Sequence, residues 1–268
     1  MPKLSIITVN LNNATGLCKT IESVVIQSFT DFEFIVIDGG STDGSIDILT
    51  KNTDKISYWI SEPDKGIYNA MNKGILKATG DYLQFLNSGD WLVDKDILLK
   101  IFNNPRSADI IYGHINLIYS DKTKIHRILN ESILTLGYFI DCTLAHPASF
   151  ISRKLFSNTL YDDSYGISAD KLFFIDKIIF QNCSLQRVDE IIVNFNTYGT
   201  SHQTQNQSKM KDENDKIITS LVPPRILKDY EIYKLHYSDI QSLIEIKKYK
   251  LLYFFFKVLK KIVSFLDR

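Results

Sequence analysis

Two strand-length apolar runs separated by one helix, Ser5-Ile-Ile-Thr-Val-Asn-Leu11 and Phe32-Glu-Phe-Ile-Val-Ile-Asp38, restrict what this chain can fold into. The first is almost continuously apolar, the pattern of a strand buried on both faces. Between the runs, Ala14 to Gln27 carries Leu17, Ile21, Val24 and Val25 on one helical face. A strand, a helix and a second buried strand make a βαβ unit, and hence a right-handed parallel crossover. The alternation continues. Ser41-Thr-Asp-Gly-Ser supplies turn and cap chemistry for a helix through Leu49. Ile56 to Ile60 reads as a short strand, Ile67 to Ala78 as a helix stopped near Gly80, Tyr82 to Leu86 as a strand and Lys95 to Asn103 as a helix.

After Pro105 the pattern changes. Asp109 to Gly113, Ile115 to Tyr119 and Lys124 to Ile128 read as strands, the last two joined by a polar Ser120-Asp-Lys turn. Ala148 to Ser152 is a further strand and Ser168 to Phe180 a helix with an apolar face. From about Gln203 the chain turns helical and more polar, with a break at Pro223-Pro224.

The formal charge is zero, with 31 basic and 31 acidic side chains, which excludes the basic excess of a general nucleic-acid binder. Cys18, Cys142 and Cys183 are odd in number and without metal-ligand spacing, as expected in a reducing compartment. No run reaches the ~20 apolar residues of a membrane span. The N-terminus enters a strand with no secretory pattern. The expectation is a cytoplasmic protein.

The chemistry-bearing residues collect where strands end. In an open α/β sheet those ends form a crevice that helices do not fill. Asp38-Gly-Gly-Ser-Thr-Asp-Gly44 closes the second strand. Ser61-Glu-Pro-Asp-Lys-Gly-Ile-Tyr-Asn-Ala-Met-Asn-Lys-Gly-Ile75 is a charged, amide-rich loop running into a helix, and Phe85-Leu-Asn-Ser-Gly-Asp90 is the polar end of an apolar strand. The first turn holds Asn10-Leu-Asn-Asn13 where a dinucleotide fingerprint would hold glycines, and no phosphate-cradling GxxxxGK[ST] loop is present. Asp38 suits either a turn or a contact with a base or ribose. Asp90 suits a helix cap. Asn69 and Asn72, three apart, share a helix face and are positioned to bond across to the Asp90 loop.

These three ordered segments resemble the nucleotide-sugar half of family 2 glycosyltransferases, inverting enzymes of the GT-A fold, over roughly the first 200 residues. The resemblance implies a Rossmann-like, mostly parallel mixed α/β sheet flanked by helices. Residues 1–104 would form its nucleotide-sugar half and 105–202 its acceptor half, with 203–268 a helical C-terminal extension. It implies a nucleoside-diphosphate sugar held by Thr8, Asn10, Asp38, Asp64, Lys65, Asn69, Asn87, Ser88 and Asp90, and a hydroxyl of a glycan, lipid-linked in polysaccharide assembly, as acceptor. Asn87-Ser-Gly-Asp90 falls where the family carries a metal-binding DxD-type motif. Here Gly89 occupies the usual aspartate position and Asn87 replaces the leading carboxylate, so Asp90 and Asn87 are expected to form an open Mn²⁺ or Mg²⁺ site. Asp170 in Ile167-Ser-Ala-Asp-Lys matches the family's base at a helix start, with Asp162 and Asp163 as rivals, and His146 lies on the acceptor side. Tyr198-Gly-Thr-Ser201 is similar to a late loop over the active site.

The tail is a separate signal. Residues 244–268 interleave Leu251, Leu252, Tyr253, Phe254, Phe255, Phe256, Val258, Leu259, Ile262, Val263 and Phe265 with Lys247, Lys248, Lys250, Lys257, Lys260 and Lys261. Such a basic amphipathic segment suits the inner face of the cell membrane as a peripheral anchor. The alternative is a helix packed on the domain or on a second subunit in a homodimer.

Overall fold

The computed structural model describes residues 1–198 and 204–266. β1 (Leu4–Asn10) is buried along its whole length, as its sequence requires, because it pairs on both sides. It runs parallel to β2 (Phe32–Asp38) and to β4 (Tyr82–Phe85), and β3 (Tyr58–Ser61) lies parallel to β2. β5 (Trp91–Leu92), β6 (Ile110–Ile118), β7 (Thr123–His126), β8 (Ser149–Ser152) and β9 (Leu185–Asn196) complete the sheet. Its order among the described residues is β3-β2-β1-β4-β8-β6-β9-β5, with β7 on β6.

β8 is antiparallel to both β4 and β6, so the start of β8 lies beside the end of β4. The parallel half is also in register at its C-terminal ends, with Asn10 opposite Asp38 and Asp38 opposite Ser61. These two facts put the polar strand ends on one rim.

Helices cover both faces. α1 (Ala14–Val25) and α4 (Ile97–Phe102) bury Leu17, Ile21, Val24, Ile97, Leu98 and Ile101 in one cluster with Leu4, Ile6, Phe34 and Val36. α2 (Ser45–Lys51) adds Leu49. α3 (Ile67–Lys77) lies against the opposite face, where a Cβ on Gly74 would come within 2.5 Å of Ile7 Cγ2. Glycine lets the helix sit this close, and that depth sets where the 62–66 loop meets the strand ends.

The structure departs from the sequence expectations at several elements. Asp109–Gly113 and Ile115–Tyr119 are one strand, β6, whose register with β9 shifts between Tyr112 and Ile115. Gly113 marks the irregularity, since a Cβ there would meet the Glu190 carbonyl at 2.8 Å. No strand is expected from the sequence between 181 and 202, yet β9 spans twelve residues; its charged Arg187, Asp189 and Glu190 hide a buried Val188, Ile192 and Val193. The expected helix 168–180 is α6 (Ala169–Phe174) followed by a π-helical turn, Ile175–Phe180. α5 (Leu136–Asp141) precedes them.

The chain divides into two compact units, 1–217 and 218–268. α7 (Thr204–Leu221) begins in the first. The second contains α8 (Pro224–Leu235), α9 (Tyr237–Lys248) and α10 (Lys250–Leu266).

Gly74→Ala overpacks the α3–β1 contact and is expected to cost about 1–3 kcal/mol in urea unfolding. A cost near zero would show that α3 can back away from the sheet.

Candidate active site

The rim begins with Asp38. It is fully buried, and its two oxygens accept hydrogen bonds from Asn10 Nδ2 (2.7 Å), Ser41 Oγ (2.6 Å), Ser61 Oγ (2.6 Å) and the backbone N–H groups of Gly40 and Ser41 (3.1 and 2.8 Å). Burial works to raise its pKa, but these donors outweigh it and hold the carboxyl below the usual range. A base or ribose reaching these oxygens would compete with donors already in place. Asp38 fixes the 39–41 turn, where Gly40 has φ +83°.

Thr8, expected at the donor, sits inside β1. It is fully buried and its hydroxyl donates to the Leu86 carbonyl at 2.7 Å, bracing β1 against the chain leaving β4. Asn10 is buried as well, with Oδ1 lacking a partner.

The 62–66 loop closes over this turn. Asp64 Oδ1 accepts from the Gly66 N–H at 2.8 Å, and its Oδ2 would stand 2.5 Å from a Cβ on Gly39. Lys65 is exposed, and its backbone N–H donates to Asn69 Oδ1 at 3.3 Å. Asn69 and Asn72 do share a face of α3, but they do not reach the Asp90 loop. Asn69 Nδ2 donates to Asp163 Oδ2 (2.9 Å), while Asn72 exchanges two hydrogen bonds with the Tyr161 backbone (2.8 and 3.0 Å). That helix face is turned toward the segment leading into α6.

The Asn87–Asp90 turn follows β4 and is held by α1. Asn13 Nδ2 donates to the Ser88 carbonyl (3.0 Å), Ser88 Oγ donates to the Asn13 carbonyl (3.3 Å), and Thr20 Oγ1 bonds both the Gly89 N–H (3.0 Å) and the Asp90 carbonyl (2.7 Å). Gly89 has φ +102°, a conformation that a side chain rarely tolerates, which accounts for glycine where an aspartate is usual. Asp90 is only 5% exposed, and Oδ1 accepts the Asn196 N–H from the end of β9 at 2.9 Å. Burial pushes its pKa up to about 7, with the Asn196 N–H and the nearby His146 acting the other way.

Opposite stands Asp170, in the first turn of α6 and 8% exposed. Its Oδ2 lies 3.0 Å from His146 Nδ1, and its Oδ1 accepts from Tyr68 OH (2.8 Å) and the Lys171 N–H (2.9 Å). Tyr68 shares its proton with the Ile167 carbonyl at 2.7 Å. Burial first, and the charge of Asp170 second, raise the Tyr68 hydroxyl well above the tyrosine range, so it remains a donor. His146 Nε2 meets Asn87 Nδ2 at 3.3 Å. The imidazole thus ties the Asp90 turn to Asp170. The rivals Asp162 and Asp163 are exposed turn residues, bonded to the Ser164 N–H and to Asn69.

Three contributors escape a reading of the sequence. Tyr68 is hidden inside a helix pattern. Asn196 contributes only its backbone. Glu213, from α7, accepts the N–H groups of Gly166, Ile167 and Ser168 at 2.8, 2.9 and 3.0 Å and so caps the entry to α6. The Gly199–Ser201 part of the late glycine-serine element lies outside the described residues.

No three His, Cys, Asp or Glu side chains converge on a metal position among the described residues. The Asn87–Asp90 turn offers one buried carboxylate and the Asn87 Oδ1, a buried acceptor without a partner. A hard cation takes one carboxylate and an amide oxygen when phosphate oxygens and waters complete its shell. The donor set therefore fits a cation that arrives with a diphosphate.

With this geometry in hand, the comparisons are decisive for the family. Residues 5–168 match the family model described as Glycosyl transferase family 2, more than half of the chain. The chain belongs to that family. An uncharacterized glycosyltransferase of Mycobacterium tuberculosis is 32% identical over 212 residues, 75% of this chain and 78% of that protein. S. aureus TarS 1-349 in complex with UDP superposes with a TM-score of 0.59 at 17% identity, over 72% of this chain and 60% of that one. Glucosyl-3-phosphoglycerate synthase from Mycobacterium tuberculosis, in complex with Mn²⁺, UDP and glucosyl-3-phosphoglycerate, gives 0.53 at 16% identity, over 82% and 79%. At such identities the likeness to solved structures shows the fold, which is of the GT-A type. This family member is a glycosyltransferase.

Asp90 makes a stability prediction. Below pH ~4 it is protonated folded and unfolded alike; between ~4 and ~7 only the unfolded chain ionises, which favours unfolding; above ~7 the penalty is constant. Asp90→Asn keeps the acceptor for Asn196 and removes the penalty. Its melting temperature should exceed the parent's by several degrees at pH 8, with the gain shrinking toward zero at pH 4. A gain independent of pH would contradict the buried carboxylate as its source.

Proposed function

We propose that this glycosyltransferase moves a hexose from a nucleoside-diphosphate sugar to a hydroxyl of a glycan, with inversion, in surface polysaccharide assembly, where the acceptor is lipid-linked. The observation that carries this reading is the connected chain Asn87–His146–Asp170–Tyr68. It joins a turn suited to a diphosphate and a cation to a buried carboxylate suited to a hydroxyl.

Inversion by single displacement needs one base, aligned opposite the leaving group and within hydrogen-bond reach of the nucleophile. Asp170 is that base. Tyr68 and the Nδ1–H of His146 orient its oxygens, and Glu213 fixes the helix start on which it rides. A bound cation, Mn²⁺ or Mg²⁺, would supply positive charge to the departing diphosphate. Asp90 and Asn87 Oδ1 would hold it. Asn10, Asp64, Lys65 and Ser88 flank the donor, and Asp38 shapes the turn against which the base and ribose lie. The UDP carried by TarS 1-349, and the UDP and Mn²⁺ carried by the glucosyl-3-phosphoglycerate synthase, support a nucleotide donor and a divalent cation.

The test is a panel of nucleotide sugars with Mn²⁺, read by release of nucleoside diphosphate and by the anomeric configuration of the product. Release from at least one donor and an inverted product are expected. No release from any donor would leave a non-catalytic binder, pyrophosphate release a nucleotidyltransferase, and retained configuration would overturn the single displacement. Asp170→Asn should lower turnover by about 10²–10⁴-fold while donor affinity, measured by calorimetry, changes less than about twofold. Asp90→Asn should instead weaken donor binding in the presence of Mn²⁺ and make it insensitive to EDTA.

A further inference from the structure

α10 spans Lys250–Leu266, about 25 Å at the usual helical rise. At 100° per residue, Lys250, Lys257 and Lys261 fall in one row about 40° wide, with Lys260 beside it. Leu251, Leu252, Phe254, Phe255, Val258 and Leu259 spread over an arc of about 160°, and all six are exposed, Leu251 at 69% and Phe254 at 61%. No acidic residue occurs from 246 to 266, although the whole chain is neutral. Just before the helix, α9 ends with Lys247 and Lys248, and Lys248 pairs with Glu245. No helix among the described residues is long and apolar enough to cross a membrane.

We infer that α10 is a docking surface for an anionic lipid bilayer, lying in the plane of the headgroups with Leu251, Leu252, Phe254, Phe255, Val258 and Leu259 below them and its lysine row above. Two features select this occupant. One partner helix covers only a narrow a/d seam, whereas a planar medium immerses about half of a helix circumference, and the apolar arc of α10 has that breadth. Its polar face carries one sign of charge, complementary to anionic headgroups, and lysine stems extend along the apolar boundary to reach them. This surface is independent of the donor site, so it stands or falls apart from the transfer reaction.

The experiment sediments the full chain with vesicles of phosphatidylcholine alone and with about a third phosphatidylglycerol. Binding is expected only to the anionic vesicles and should weaken as salt rises from low to high. Lys257→Gln/Lys260→Gln/Lys261→Gln should weaken it about 100-fold, at about fivefold per lysine. Phe254→Ser/Phe255→Ser, at exposed positions, should weaken it at least about tenfold through lost apolar burial. Unchanged circular dichroism and unchanged nucleotide binding by the variants verify that the chain remains folded. Equal binding to both vesicle types, no binding to either, or full binding by the phenylalanine variant would overturn the inference. Self-association by light scattering that the phenylalanine variant abolishes, without vesicle binding, would assign the face to a second copy.

Discussion

An imidazole has two nitrogens, and in its neutral form one gives a proton while the other takes one. At His146 both nitrogens meet neighbours. In the neutral ring with Asp170 accepting at Nδ1, Nε2 accepts from the Asn87 NH₂; in the imidazolium Nε2 donates instead and Asn87 would turn its oxygen to it. With the neutral ring the Asn87 oxygen is left buried without a partner. A buried acceptor without a partner costs about 1–3 kcal/mol. One ring thus connects the Asp170 carboxylate to the Asn87–Asp90 turn.

Topology delivers that ring. His146 lies in the 3₁₀ turn before β8, and Asn87 lies just after β4. Because β8 runs antiparallel to β4, the start of one strand and the end of the other are neighbours. A fifth parallel strand would have put the residue preceding it at the opposite edge of the sheet. The antiparallel insertion after four parallel strands is therefore what brings His146 and Asn87 together on one rim.

The legible parts of this protein are those whose cause is local. The apolar runs of β1 and β2, the helix periods of α1 and α3, and the strand-end carboxylates announce the α/β half without a partner being known. β9 is not legible because Arg187, Asp189 and Glu190 break its apolar pattern, while the irregular pairing with β6 buries Val188, Ile192 and Val193 out of alternation. The bond from the Thr8 hydroxyl to the Leu86 carbonyl depends on which segment lies beside β1, which no local pattern gives. Asn69 and Asn72 were placed on one face correctly; which segment that face meets depends on how α3 is rotated against the sheet, which a period cannot supply. Gly89 read as a missing ligand, and only its positive φ shows why a carboxylate would be strained there.

The carboxylate of Glu213 occupies three consecutive main-chain amides at the entrance to α6. A fragment trimmed to the portion ahead of α7 would keep every strand-end motif quoted from the sequence and still leave those three donors empty, one turn from Asp170. Excising a minimal catalytic core is thus constrained by a remote acid: the cut has to fall beyond α7, or the shortened chain has to be given another anion for that spot.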